Sequence, residues 1–443
     1  MDIYIYLYVA ALFVVGLLST RLMKKIKLPN VTGYIIVGII MGPFVFGLFF
    51  NGFDFSKASD LSSPIYSYVK NLSWVSNVAL GFIAFSIGSS FKANVLKQVG
   101  KKVIVITIFE ALGGSLVVSL ALIALHFVWP DAVSLPLALT LGAIAAATAP
   151  AATLMVVKQY KAHGPVTQTL LPVVALDDAA ALILYAILYQ IAKALALGND
   201  FDLYEMLAKP IIEIVISLGL GSVLGFIVSG MSHFFKSRTN RLIWVIATVF
   251  GALGLYYLFQ QSFMGSFELS SLLICMAAGA IFANFQKEAA VTFDFMDRFT
   301  SPIYMLFFVI SGASLDLSVF ASSTGLIVLA LALIYAVMRF AGKWLGTFGA
   351  AKITRAEPAV QKYLGFCLVP QAGVAIGLAS TASVSFGSSS DSSVAAIGAM
   401  VLAIVLTSTL IYEIVGPIST KIALAKAGEI TLERKTAANE NNA

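Results

Sequence analysis

Uninterrupted apolar stretches of about 20 residues recur along the whole chain, and this feature restricts its fold most strongly. A stretch of that length crosses a bilayer as an α-helix, whereas a strand of a membrane β-barrel needs about 10 residues of alternating polarity. Only 11% of the 443 residues are charged and 59% are hydrophobic, while soluble domains contain about 25% charged residues. We therefore predict an all-α polytopic membrane protein.

The apolar stretches predict thirteen transmembrane helices. The first is expected to be retained, because no basic segment of the kind found in a cleaved signal peptide precedes it. The predicted spans are 3–20, 30–50, 73–91, 103–129, 133–157, 166–192, 207–234, 242–260, 266–285, 302–318, 324–349, 361–384 and 394–418.

Basic residues are concentrated in alternate loops between these spans. One set of loops, together with the C-terminal tail, contains 22 of the 28 Lys and Arg residues, and the opposite set with its span ends contains four. Loops rich in Lys and Arg stay on the cytoplasmic side of a membrane. We therefore expect the N-terminus outside and the C-terminus in the cytoplasm. Basic residues scattered in this way also argue against a nucleic-acid partner.

Spans that are seven apart resemble each other. The third span ends in "FIAFSIGSSFK" and the tenth contains "LFFVISGASLDL". The fifth and twelfth spans have a central proline, Pro150 in "TAPAAT" and Pro370, followed by Gln371, in "VPQAGVA". An odd offset means that paired spans cross in opposite directions, which is typical of the inverted repeats of transporters. The pattern predicts two crossed discontinuous helices, and two ordinary proline kinks are the alternative.

Two adjacent acids, Asp177 and Asp178, interrupt the apolar stretch "VVALDDAAALILY" near the middle of the sixth span. Charged groups inside a membrane are costly and usually functional. Neighbouring helical residues point about 100° apart, so both acids can border one cavity and still have different partners. Two carboxylates this close cannot both ionise cheaply, and we expect the pair to exchange protons.

Lys343, in the eleventh span, needs a carboxylate partner, and we predict Asp177. Arg339 lies one helical turn away and is an alternative partner. It is also a candidate brace for Glu110 or Glu413. Snorkelling of Lys343 to the cytoplasmic interface is the remaining alternative. The further acids in spans, each a candidate supporting charge, are Glu110, Glu213 and Glu413.

Taken together, these motifs resemble the bacterial monovalent cation:proton antiporters, in particular the electrogenic Na⁺/H⁺ antiporters of the cation:proton antiporter-2 type. The resemblance rests on "ALDDAAALILYAI", "TAPAAT", "LVPQAGVAIGLA", "RFAGKWLG" and "TGYIIVGIIMGP", and it covers nearly the whole chain. It implies a homodimer in the inner membrane of a bacterial cell, surrounded by lipid, with Na⁺ or Li⁺ and H⁺ as substrates and without a cofactor.

The family's fold implies two domains. A dimerisation domain would contain residues 1–92 and 242–318, and a core ion-translocation domain would contain 103–192 and 324–420. Residues 207–234 would link them, and 421–443 would form a cytoplasmic tail.

The resemblance also assigns roles to individual residues. Asp178 corresponds to the main carrier of the ion and the proton, and Asp177 to the acid that pairs with Lys343. We further expect the charge of a bound ion to compete for Asp177, so that this pair breaks and the lysine loses its proton. Thr148 would supply a side-chain oxygen next to Ala149, which stands where relatives often have an acidic or hydroxyl residue. This departure leaves the choice between Na⁺ and K⁺ open.

Three other functions remain to be separated from Na⁺/H⁺ exchange. They are K⁺/H⁺ exchange on the same fold, an ion channel, and an intramembrane aspartyl protease. A protease needs two acids that converge on one water molecule from separate helices, and adjacent residues of one helix diverge. The sequence has no glycine-rich phosphate loop, no H-E-x-x-H motif and no Cys/His cluster, so neither a cofactor nor enzymatic chemistry is expected.

Overall fold

The protein is described here by a computed structural model, which covers residues 4–49, 63–91, 93–130, 132–197, 204, 208–235, 237–261, 269–314, 325–387 and 391–430. The end of the predicted span 302–318 and most of the predicted tail 421–443 lie outside these residues. The helices are α1 (Tyr4–Lys25), α2 (Asn30–Met41), α3 (Pro64–Asn71), α4 (Ser73–Gly88), α5 (Ala93–Val128), α6 (Leu135–Ala145), α7 (Pro150–Tyr160), α8 (Pro165–Leu197), α9 (Lys209–Phe234), α10 (Arg238–Gln261), α11 (Ser271–Phe285), α12 (Ala289–Ala313), α13 (Gly325–Ile353), α14 (Pro358–Cys367), α15 (Gly373–Gly387) and α16 (Ser392–Lys426).

Helices account for all the regular secondary structure of the described residues. Ten helical segments among them are long and apolar enough to cross a membrane, and two shorter apolar helices, Ser271–Phe285 and Val374–Gly387, accompany them. The expectation of an all-α, multi-pass membrane protein is confirmed. Every predicted span overlaps one helix or two consecutive helices. The number of thirteen crossings and the orientation of the termini stay predictions.

Three large hydrophobic cores organise the helices into two bundles. The first core contains residues such as Leu12, Phe82 and Phe282 and is shared by α1–α4 and α9–α12, which we call the first bundle; residues of α7 and α8, including Ala151 and Ala175, also pack into it. The second core contains residues such as Leu141 and Ile404 and is shared by α5, α6, α8, α13, α15 and α16. The third joins α7 and α14 to α5, α8, α13 and α16, and we call α5–α8 and α13–α16 the second bundle. Helix α9, the predicted linker, packs against α10 and α11 of the first bundle.

Glycines allow α5 and α13 of the second bundle to cross with their backbones in contact. A Cβ atom on Gly113 of α5, or on Gly342 or Gly346 of α13, would clash with the backbone of the opposite helix. Small residues four positions apart are the usual means of such close packing in membranes. The crossing brings Glu110 of α5 next to Lys343 of α13, and thereby creates the charged centre of the bundle.

Candidate ion-binding site

Two interrupted helices touch in the middle of the second bundle. Four residues separate the end of α6 from Pro150, which begins α7, and a similar gap around Pro370 separates α14 from α15. Ala149 is extended, with φ −90° and ψ 109°, because the ring of a following proline disfavours the helical conformation. Its N–H donates a hydrogen bond to the carbonyl oxygen of Pro370 at 2.9 Å. The two breaks are thus joined where helical hydrogen bonds stop.

Arg339 of α13 binds the carbonyl groups left unpaired at these breaks. Its guanidinium donates hydrogen bonds to the oxygens of Ala145, Ala147 and Val369 at 3.0, 2.6 and 2.8 Å. The ring of Tyr412 lies 4.7 Å from the guanidinium carbon. A cation is favoured at the C-terminal ends of helices, and α6 and α14 both end here. Arg339 therefore stabilises the crossing.

This finding corrects the expectation that Arg339 braces Glu110 or Glu413, because its hydrogen bonds go to the backbone. Gln371 has a similar function, since its amide group lies 3.1 Å from the carbonyl oxygen of Ile144 and pairs with the hydroxyl of Tyr335. The two side chains satisfy polar backbone groups that would otherwise be costly to bury.

Lys343 is fully buried and contacts two acids. Its Nζ lies 2.6 Å from Oε2 of Glu110, 2.8 Å from Oγ1 of Thr148 and 3.3 Å from Oδ2 of Asp177. The lysine, Glu110 and Asp177 are at most 1% exposed, so the side chain does not snorkel to the interface. The aliphatic part of the Lys343 side chain packs on Gly114. Any larger residue at position 114 would collide with it. Glu110, rather than the predicted Asp177, is the nearer partner.

Asp178 makes none of the hydrogen bonds of this cluster. Its Oδ1 atom is buried and has no hydrogen-bond partner among the described residues. The residue lines a cavity of about 480 Å³ between the two bundles. The wall also includes Ala149, Pro150 and Gln371 from the helix breaks, and Phe308 from the first bundle. Asp178 is therefore a carboxylate that a cation in the cavity can reach.

The remaining predicted charges occupy different places. Glu413 of α16 lines the same cavity as Asp178. Glu213 lies on α9, which belongs to the first bundle, and it is not part of the cavity wall. No group of three or more His, Cys, Asp or Glu side chains in the described part of the chain has the arrangement of a metal centre.

One interaction between the bundles was missed by the sequence reasoning. Lys158, at the end of α7, forms an ion pair of 2.6 Å with Asp297 of α12 and a hydrogen bond of 2.9 Å with Ser86 of α4. The sequence assigned both charged residues to loops. Helix α12 begins at Ala289, before the predicted start at residue 302, so Asp297 belongs to the helix. The spacing of basic residues alone could not reveal this contact.

Comparison with known families identifies the chain. The sequence model of the family described as "Sodium/hydrogen exchanger, transmembrane" matches residues 9–426. The chain belongs to this family. All predicted site residues of the exchanger lie within the matched region. Membership in a family of antiporters favours ion transport over the protease that two buried acids also permit.

Solved structures show the same fold. The exchanger is similar to MjNhaP1, described as the sodium proton antiporter from Methanocaldococcus jannaschii. Its structure at pH 8 is 18% identical with a TM-score of 0.66, and the match covers 96% of the exchanger and 98% of MjNhaP1. A structure from electron microscopy is 19% identical with a TM-score of 0.70, covering 97% and 96%. No curated protein sequence matches the exchanger.

Proposed function

We propose that the exchanger moves Na⁺, or Li⁺, against H⁺ across the cell membrane of a bacterium, by alternating access and with net movement of charge. The observation that carries this proposal is the unpartnered carboxylate of Asp178 on the wall of a cavity, beside a buried cluster of two further acids and one lysine. Membership in the exchanger family supports exchange of a cation for a proton.

Competition at Asp178 couples the two substrates. A monovalent cation in the middle of a membrane must replace its water shell with oxygen atoms, and a carboxylate also neutralises its charge. The same carboxylate holds a proton when no cation is present, because an isolated buried anion is costly. Thr148 accepts a hydrogen bond from Lys343, and we propose its second lone pair as a further ligand of the cation.

The charges of the cluster suggest how two protons leave for one cation. Lys343 and Glu110 form a neutral pair at 2.6 Å. Asp177 lies 3.3 Å from a lysine that Glu110 already neutralises, so Asp177 and Asp178 can both be protonated when the site is empty. Binding of one Na⁺ would release both protons and move one net charge. This assignment replaces loss of the lysine proton, since Glu110 keeps Lys343 charged after Asp177 turns to the ion.

An inverted repeat is supported by matching glycine contacts in the first bundle. Helices α2 and α12 touch at Gly38 and Gly312, and α4 and α11 touch at Gly88 and Gly279; a Cβ at each would meet the opposite backbone. The proposed repeat pairs predicted spans that are seven apart. It therefore pairs α2, in the second span, with α11, in the ninth, and α4, in the third span, with α12, in the tenth. The two contacts are therefore equivalent under the proposed symmetry, which is common in secondary transporters.

The cavity and the Lys158–Asp297 pair suggest which end of the exchanger is closed. The cavity is lined by residues where α11 begins, including Ser271 and Leu272, and the predicted orientation puts that end outside. Lys158 closes the opposite end by joining α7 to α4 and α12. The proposed state is open outward, and the ion pair must break before the cavity can open to the cytoplasm.

Removing this ion pair is expected to favour the inward-open state. The side chains of Lys158 and Asp297 are 23% and 34% exposed, so the pair contributes about 1 kcal/mol, which corresponds to roughly a fivefold change in population. Lys158→Gln or Asp297→Asn should shift the population by that factor. The matched control is Arg298→Gln, which removes an exposed ion pair with Asp294 on the same helix.

The shift is measured by labelling a cysteine introduced at Ala152 with an impermeant maleimide from the cytoplasmic side. Ala152 lines the cavity and is 4% exposed, and the native Cys275 and Cys367 are buried. Labelling should accelerate in both single variants and return to the original rate when the charges are exchanged, as Lys158→Asp with Asp297→Lys. Equal rates in the wild type and the single variants would show that the pair does not control opening.

A homodimer that forms through the first bundle would leave the second bundle free to move. Helix α1 has an outer apolar face, with Leu17 and Leu18 65% and 59% exposed. We expect Leu18→Cys to form disulfide cross-links between copies, while Ile183→Cys on α8 of the second bundle should not. Gel mobility under oxidising conditions measures this. Efficient cross-linking through α8 alone would contradict the proposed arrangement.

The reaction itself is tested in everted membrane vesicles with a pH-sensitive dye. Addition of NaCl or LiCl should release the stored proton gradient, and KCl should have little effect. A response to KCl alone would favour the K⁺/H⁺ alternative, which Ala149 leaves open. Cation flux without proton movement would instead indicate a channel.

A further inference from the structure

Glu413 is a second buried acid of the cavity wall. The residue lies on α16 and is 6% exposed, and its Oε2 atom has no hydrogen-bond partner among the described residues. The two fully buried cations of α13 have other partners, because Arg339 binds backbone carbonyls and Lys343 binds Glu110. The sequence suggested that Glu413 supports another charged group. No ion pair among the described residues joins Glu413 to such a group.

The position of Glu413 relates it to the path of the ion. It lines the cavity that also contains Asp178. Three residues further along α16, Gly416 packs against Pro370, where a side chain would collide with the proline ring. This contact fixes α16 against the helix crossing, at the level where α14 and α15 are interrupted. Glu413 and Asp178 thus reach one cavity from two different helices.

A carboxylate in this environment needs a positive charge. Burial of an isolated carboxylate costs several kcal/mol, and the group avoids this by holding a proton or a cation. An apolar residue would pack at this position without that cost. A single carboxylate is neutralised by one monovalent cation, whereas a divalent cation would leave an uncompensated charge in an apolar wall.

We propose that Glu413 is a second cation-binding and proton-binding carboxylate, which holds a monovalent cation in the cavity before the ion reaches Asp178. The proposal rests on the proposed exchange function and adds a second binding position to its path. In the proposed outward-open state the cavity connects Glu413 with one side of the membrane, so the effect of the acid should be sided.

The test compares Glu413→Gln and Glu413→Asp with the wild type in proteoliposomes of known orientation. Na⁺-driven proton flux is measured with Na⁺ added on either side. Loss of one charge-assisted contact should raise the apparent KM for Na⁺ about tenfold on the side that the cavity faces. The maximal rate should stay within about twofold, and the other side should be unaffected. Glu413→Asp should raise that KM about threefold. The matched control is Glu213→Gln, which removes an acid from a helix outside the cavity wall.

Each outcome decides the proposal. An unchanged KM in Glu413→Gln on both sides would overturn it, and so would a lower maximal rate with an unchanged KM, which indicates a structural role. If Glu413→Gln does not reach the membrane, an unchanged KM in Glu413→Asp would overturn the proposal instead. A wild type without cation-driven flux would refute the proposed exchange function. An active wild type, an inactive Asp178→Asn and an unaltered Glu413→Gln would refute only the second site.

Discussion

Cation-driven proton flux by the Asp178→Asn variant should fall about a thousandfold, to the level of empty liposomes. The amide retains the size and polarity of the side chain and loses the negative charge. A Na⁺ that has left its water shell then meets an uncompensated site, which costs roughly 3–5 kcal/mol, and about 1.4 kcal/mol corresponds to a factor of ten in rate. Asp178 has no other partner to preserve among the described residues, so the fold should tolerate the change.

The measurement is Na⁺-driven proton flux in proteoliposomes, together with the thermal unfolding midpoint of the purified variant. The midpoint should remain within a few degrees of the wild-type value. Glu213→Gln serves as the control for removing a carboxylate from an apolar helix, and it should exchange normally. Normal flux in Asp178→Asn would mean that the cation binds elsewhere on the cavity wall, and Glu413 would then be the first alternative.

The features that the sequence predicted well depend on local chemistry. The length of each apolar stretch determines whether a helix can cross a bilayer, so helices lie over all thirteen predicted ranges. The two breaks follow from Pro150 and Pro370, because proline removes a backbone donor and restricts the residue before it. Both consequences are local, and neither requires knowledge of which helices touch.

The contacts within the cluster depend on how distant helices cross, and the sequence predicted them less well. Lys343 binds Glu110 more closely than Asp177 because glycines bring α5 against α13. The signal for this crossing is present in the sequence as Gly342 and Gly346, four residues apart, but it does not identify α5 as the partner helix. The sequence suggested carboxylate partners for Arg339. Its partners in the structure are backbone carbonyls, which become unpaired only where the two interrupted helices cross.

Lys343→Gln should be the most destabilising single change in the second bundle. It leaves the carboxylate of Glu110, which is 0% exposed, without its ammonium, and the equally buried Asp177 loses the same neighbour. Breaking a buried ion pair in this way costs about 3–5 kcal/mol. We expect a clear fall in the thermal unfolding midpoint and a large loss of exchange. A midpoint equal to that of the wild type would show that the two acids are already neutral in the resting state.

The double variant Glu110→Gln with Lys343→Gln separates the two possible roles of the lysine. It removes a neutral pair, so the charge left for Asp177 and Asp178 is unchanged, and part of the lost stability should return. If those two acids carry both protons, the double variant should still perform exchange that responds to an imposed membrane potential. If Lys343 is itself a proton carrier, the double variant should be inactive or insensitive to the potential. Proton flux at a clamped potential distinguishes these results.

We expect the first result, because Glu110 is the nearer partner of Lys343, at 2.6 Å against 3.3 Å for Asp177. Glu110 therefore keeps the lysine charged while Asp177 binds the ion.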